Sequence, residues 1–260
     1  MASHVIRARA AQGTSEAVAL QRDPDVLNAF SEDAAHFPGG HASGVAAPET
    51  EAEVARLLRD SRSVVAIGAQ SSLTGGATPM GDVVLSTSRM NRILEIAGNR
   101  VRAQAGVTLT ELDAALRRAR RYYPPAPTFT GAFVGGIVAT NAAGAATFKY
   151  GTTRAWVAAL TVVLVTGDVL EIERGAIRAD PSGCFEIELA DRNVRVPVPR
   201  YHMTDYERDL SQRSRNACWA GEIASAGTTS RCGFSFSVTD VVFATPDRST
   251  NTTATESPGL

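Results

Sequence analysis

A short apolar run that breaks into small hydroxylated residues constrains this chain more than any other feature. It is "VVAIGAQSSLTGG", residues 64–76. Residues 64–67 predict a strand of the kind buried on both faces in a parallel sheet. Glycines follow at 68, 75 and 76, with Ser71, Ser72 and Thr74 between them. Backbone N–H groups freed at a strand end, uncrowded by large side chains, form a concavity suited to an anion, phosphate above all. An ordinary turn carrying serines has the same composition, so the residue types alone leave both readings open.

Two established phosphate loops are ruled out by single positions. The P-loop needs a lysine after its second glycine, and Ala77 follows Gly76. The dinucleotide fingerprint G-x-G-x-x-G needs a glycine where Gln70 stands. A phosphate held here is held by another design.

Around the loop the chain reads as alternating helices and strands. Thr50 and Glu53 have capping-box spacing ahead of Val54, Leu57 and Leu58, and Thr108 and Glu111 repeat it ahead of Leu112, Ala115 and Leu116. Both predict amphipathic helices. "GDVVLS" and "RVRAQAG" predict strands, and "AALTVVLVTGDVLEIE" predicts a hairpin turning at residues 166–168. Residues 14–30 carry a looser helical pattern, and no internal repeat is present.

The second unusual segment is "YYPPAPTFTGAFVGGIVATNAAGAATFKYG". Its prolines forbid regular structure at the start, and its glycines and alanines permit close backbone approach. A wall for a flat ligand and a tightly packed small-residue helix explain it equally well.

Charge narrows the partners. With 26 basic and 27 acidic residues, no global field steers the chain to nucleic acid or an anionic membrane. The arginines of "RRARR" at residues 117–121 lie where the second helix should end and complement its dipole; no aromatic platform for base stacking is interleaved with them. The most apolar window, "AWVAALTVVLV", is far short of the roughly 20 residues a membrane helix needs. The start shows no secretory pattern, and Cys184, Cys218 and Cys232 have no metal spacing and an odd count. A cytoplasmic protein acting on a small molecule, with no metal, is the expectation.

Taken in order, the motifs "APETEAEVARLLR", "IGAQSSLTGGATPMGDVVLS", "MNRILEI", "GVTLTELDAALR", "YYPPAPTFTGAFVGGIVATNAAGAATFKYGTTRAWV" and "LTVVLVTGDVLEI" resemble the PCMH-type FAD-binding domain of the vanillyl-alcohol oxidase superfamily. Within it the resemblance is to FAD-linked glycolate oxidase subunits and D-lactate dehydrogenases. It covers about residues 28–175. It implies a two-part α+β domain, with FAD between a small sheet and a larger, mostly antiparallel one. It also implies hydride transfer from a 2-hydroxy acid to the flavin, with the electron acceptor left open. The other enzymatic readings are a sugar or alditol oxidase, or an alkylglycerone-phosphate synthase-like member. A catalytically inactive FAD-binding remnant is the reading from another class.

Carried over position by position, the resemblance assigns the pyrophosphate to Gly68, Ala69, Gln70, Ser71, Ser72, Leu73, Thr74, Gly75 and Gly76. It assigns the flavin and ribityl side to Pro127, Thr128, Gly131, Gly135, Gly136, Thr140, Asn141 and Gly144. Many relatives have arginine where Ile67 stands and glycine at Gln70. Covalent members bond a histidine to the flavin where Ser71 stands, so FAD is expected to be held non-covalently. His36 and His41 are expected in solvated or capping roles. No general base is assigned.

The resemblance implies three regions: an N-terminal extension over 1–27, the FAD domain over 28–203, and an atypical, irregular or disordered tail over 204–260. The segment "VPVPRYHM", which carries His202, resembles the lead-in to a motif that closes over the flavin in relatives, and that motif does not follow Met203. The expectation is a chain cut short, with a frameshift near residue 203 as the cause and an unpaired edge on the larger sheet as the result.

Overall fold

The computed structural model describes residues 3–13, 18–198 and 236–246. In chain order the elements are β1 (Val5–Arg9), α1 (Pro24–Ala29), β2 (Gly44–Ala46), α2 (Glu51–Asp60), β3 (Val64–Ile67), β4 (Val83–Ser86), β5 (Ile93–Ala97) and β6 (Arg100–Gln104). There follow α3 (Leu109–Arg118), α4 (Val134–Ala139), α5 (Thr147–Tyr150), α6 (Thr153–Trp156), β7 (Val157–Leu164), β8 (Val169–Glu173), β9 (Cys184–Glu188), β10 (Asn193–Pro197) and β11 (Phe236–Ala244).

These build an α+β fold on two sheets. The smaller is parallel, in the order β2-β4-β3; the larger runs β10-β9-β1-β8-β7-β11-β6-β5 and is antiparallel except where β1 meets β9. Strand β3 lies at the edge of the parallel sheet, so Val64 and Val65 are only half-buried and Ala66 is exposed. The apolar run there reflects one buried face and a parallel partner, not burial on both sides.

Helix α2 joins the sheets. Its capping box is complete, with Thr50 accepting from the Glu53 N–H and Glu53 accepting from the Thr50 N–H. Val54, Ala55, Leu57 and Leu58 then pack between Leu85 of the small sheet and Val163 and Val169 of the large one. Burying each of the larger side chains stabilises the fold by about 2 kcal/mol. On the other face of β7, Leu160, Val162 and Leu164 meet Leu112 and Leu116 of α3 and Val134, Ile137 and Val138 of α4. Successive side chains of a strand point to opposite faces. That double covering is why β7 is almost continuously apolar. Of the looser pattern at residues 14–30, only Pro24–Ala29 is helical; residues 14–17 lie outside the described residues.

Both ends of the described chain enter the large sheet. Strand β1, within the expected N-terminal extension, pairs with β8 and β9. Strand β11 lies between β6 and β7, antiparallel to both, and sends Val241 and Phe243 into the core. This corrects the expectation of an irregular tail over residues 236–244, which pair on both sides within the larger sheet. Thr239 and Asp240 interrupt the apolar alternation, and a register shift between Val238 and Asp240 absorbs an extra residue. The remainder of the 204–260 expectation, like His202 and the proposed break near 203, lies outside the described residues.

A charge cluster ties β1 to this frame. The Arg9 guanidinium donates to both Glu51 carboxylate oxygens, at 2.6 and 2.9 Å, and to Glu171 at 2.6 Å; the Gln12 N–H adds a bond to Glu51 at 2.8 Å. Burial pushes the Glu51 carboxyl up, but the Arg9 and Gln12 donors outweigh it and hold the group below the ordinary carboxylate range. A depressed carboxylate contributes stability that is present above its unfolded value and is lost as pH falls through its folded one. Glu51→Gln is therefore expected to flatten the acid limb of stability against pH, measured by urea unfolding across the carboxylate range. An unchanged acid limb would rule this contribution out.

Candidate cofactor site

The loop at residues 68–76 leaves β3 where Ile67 still accepts from the Thr87 N–H at 3.0 Å. It then turns sharply. Gln70 has φ of 53° and Gly75 of 73°, both left-handed, and glycine meets that demand without strain only at the second. Ser72 and Thr74 share a hydrogen bond between hydroxyls at 3.0 Å. Leu73 stands out at the tip, 78% exposed.

The backbone N–H groups of Ser71, Ser72, Leu73, Gly75 and Gly76 donate to no protein group among the described residues. Five unspent donors on one short loop form the concavity that an anion fills. A pyrophosphate fits this donor set: it presents only acceptors, and it needs no protein carboxylate to leave.

The second segment approaches this loop at Gly68. A Cβ built on Gly68 would lie 3.4 Å from the Cβ of Phe133, the residue that precedes α4. Gly135 sits on β6's exit, where a Cβ would meet Ala105 at 2.9 Å, and its N–H donates to the Ala105 carbonyl at 2.7 Å. Gly136 faces open space, with none of the described residues within 4 Å of a Cβ. Close packing explains Gly135, and room for a ligand explains Gly136.

The remaining candidates divide in the same way. Pro127 is buried and bridges to Gly144, whose Cβ would fall 2.1 Å from the Ala126 carbonyl oxygen. Gly131 is closed in by the Phe129 ring at 2.8 Å. Thr140 donates its hydroxyl back to the Gly136 carbonyl at 2.8 Å, and the Asn141 side-chain carbonyl accepts from the Arg154 N–H at 2.9 Å. Thr128 is exposed, and Ala69 is half-buried between Gly68 and Gln70. His36 pairs with Glu32 at 3.0 Å and the His41 ring meets the Gly39 carbonyl at 3.0 Å, both at the surface.

The structure adds two groups that residue patterns do not single out. Asp33, 3% exposed, accepts from the N–H groups of Ala35 and Ala77, the second just beyond the loop. Tyr123, near the start of the second segment, is buried and donates to the Thr153 hydroxyl, which donates on to the Ala142 carbonyl. Burial pushes the Tyr123 phenol well above its usual value and keeps it a neutral donor. A lone acid in a loop and a tyrosine beside prolines carry no periodic signal. Among the described residues, no group of three or more His, Cys, Asp or Glu side chains could hold a metal ion, and no helix is long and apolar enough to cross a membrane.

An α+β frame that presents free backbone amides beside a glycine-rich wall defines a domain for a phosphate-bearing cofactor. The sequence pattern of one such family, described as "FAD binding domain", matches residues 42–173, just over half the chain. The chain belongs to that family, and its cofactor is FAD. It is 40% identical over 128 residues to D-lactate dehydrogenase of Anaerostipes hadrus, covering 48% of this chain and 27% of that protein. To the glycolate oxidase subunit GlcD of Bacillus subtilis it is 32% identical over 162 residues, covering 59% and 34%. The solved structure of an alkyldihydroxyacetonephosphate synthase superposes with a TM-score of 0.62 at 18% identity, over 88% of this chain and 38% of that one, which shows the shared fold. The chain thus spans only a quarter to a third of the length of these curated relatives.

Proposed function

We propose that this chain is the cofactor-binding part of an FAD-linked oxidoreductase that oxidises a small 2-hydroxy acid in the cytoplasm. The observation that carries the site is the set of N–H groups of Ser71, Ser72, Leu73, Gly75 and Gly76, unspent among the described residues and set against Phe133 at the head of α4. The relatives named D-lactate dehydrogenase and glycolate oxidase support the substrate class. The cofactor-binding unit in this reading covers residues 28–203, completed by β1 and β11.

Bound there, FAD supplies a two-electron acceptor. The residues do the holding. The amides and hydroxyls at residues 68–76 neutralise the two phosphates, while Gly136 leaves space beside α4 and Thr140 and Asn141 stiffen the turn that follows it. Ser71 offers no ring nitrogen for a covalent link, so the cofactor is held non-covalently.

The test is a titration of the full chain with FAD, followed by anaerobic addition of D-lactate, glycolate or D-2-hydroxyglutarate. Tight binding that survives gel filtration and comes off on denaturation, with visible absorbance bleached by one of these acids, is the expected result. Bound flavin that none of them bleaches removes the substrate class and leaves a binding module. Absence of binding removes the cofactor site itself.

A further inference from the structure

The left-handed turn at Gln70 is held from outside the loop. Its side-chain amide donates both protons, to the Ala29 carbonyl at 3.0 Å and the Glu32 carbonyl at 2.8 Å, while the Gln70 backbone carbonyl accepts from the Ala34 N–H at 2.9 Å. Ala29 is the last residue of α1, so the amide also supplies a partner to the final helical carbonyl, while those of Leu27 and Asn28 accept from the Phe30 and Ser31 N–H groups. Seven residues further along, the buried Asp33 carboxylate holds the Ala77 N–H at 3.3 Å. Residues 29–34 therefore grip the loop on both sides of its free amides. This bracket lies ahead of residues 42–173, the part of the chain that the family pattern covers.

We infer that Gln70 is a positioning residue whose amide fixes the loop in the conformation that binds FAD, with Asp33 as its counterpart at the far end. Both protons of its side-chain amide are spent on α1 and the residues after it, so neither is left to donate to the cofactor. A non-glycine residue at φ of 53° is strained. Three hydrogen bonds offset that strain, and they convert a turn that glycine would leave mobile into one with a fixed geometry. The effect on FAD affinity rests on the proposed cofactor site; the fixing of the loop does not.

The test compares Gln70→Ala, Gln70→Gly and Gln70→Glu in the full chain, well below their melting transitions. Two readouts are taken: FAD dissociation constant by flavin fluorescence, and hydrogen exchange of the Ala34 and Ala77 amides without FAD. Alanine loses the clamp and keeps the strain, so its Kd is expected to rise about tenfold. Glycine enters the turn freely and should weaken binding only about threefold. Glutamate turns an acceptor towards two carbonyls and should bind weakest. Exchange at both amides should quicken in all three variants. A residue that only added global stability would lower the melting temperature and leave Kd and this ranking unmoved, which overturns the inference. Unchanged exchange at Ala34 and Ala77 in Gln70→Ala overturns it too. Failure of the unaltered chain to bind FAD defeats the proposed site, and the exchange result alone then decides on the clamp.

Discussion

Gly144→Ala is expected to cost about 3 kcal/mol of folding stability, the upper range for forcing a methyl group into a filled space. All three atoms that the new Cβ would meet are backbone: the Ala126 oxygen at 2.1 Å, the Ala126 carbonyl carbon at 2.8 Å and the Pro127 Cα at 2.9 Å. No rotamer change relieves such a clash. Ala126 already stands at φ of 42°, so moving it adds to existing strain. For a domain of this size the loss corresponds to a fall of about 6–12 °C in melting temperature, read by circular dichroism. FAD affinity should fall with it, because residues 126–128 and 144 are displaced together. Gly136→Ala is the contrasting substitution. Its Cβ meets nothing among the described residues, and alanine favours α4, so stability should hold or rise by up to about 1 kcal/mol. A flavin that lies against Gly136 makes this variant bind FAD more weakly while melting no lower. A Gly144→Ala protein that melts like the parent would show that residues 126–127 are free to move.

Ser72→Asp is expected to remove FAD binding through charge alone. A carboxylate about 5 Å from a phosphate, at an effective dielectric of about 20, repels it by about 3 kcal/mol, or about a hundredfold in Kd. The side chain sits on a half-exposed loop and bonds only within it, so the melting temperature without FAD should shift by no more than the ~0.5 kcal/mol typical of surface changes. Raising the salt concentration should recover part of the affinity, because exposed charges are screened. Unaltered affinity in Ser72→Asp would place the phosphates elsewhere.

What was legible in the sequence was whatever depends on near neighbours. Thr50 with Glu53 and Thr108 with Glu111 announce their helices because a capping box is complete within four residues. The glycines of the two candidate segments announce close approach for the same reason. Gln70 was legible only as a missing glycine: its partners lie 38 and 41 residues back along the chain, so nothing local reveals where its amide points. Strand β11 was hidden because Asp240 breaks its apolar alternation. That aspartate has its ionic partner in Arg102, at 3.2 Å on the neighbouring strand. Burial raises the Asp240 carboxyl above its usual value despite Arg102, a conflict that a distant strand alone creates.

The position of β11 also sets the order in which the molecule can be made. Among the described residues, β6 and β7 do not pair with each other; β11 stands between them and joins the sheet's two halves, and its Asp240 lies 138 residues beyond its partner Arg102. A ribosome must therefore deliver residues 236–244 before the larger sheet can close, and until then β7 offers a bare, apolar edge to any neighbour. Pairings that wait on such distant segments form slowly. Synthesis of this domain is thus a race between the arrival of β11 and aggregation, and a chaperone that covers β7 during that interval would raise the share that survives.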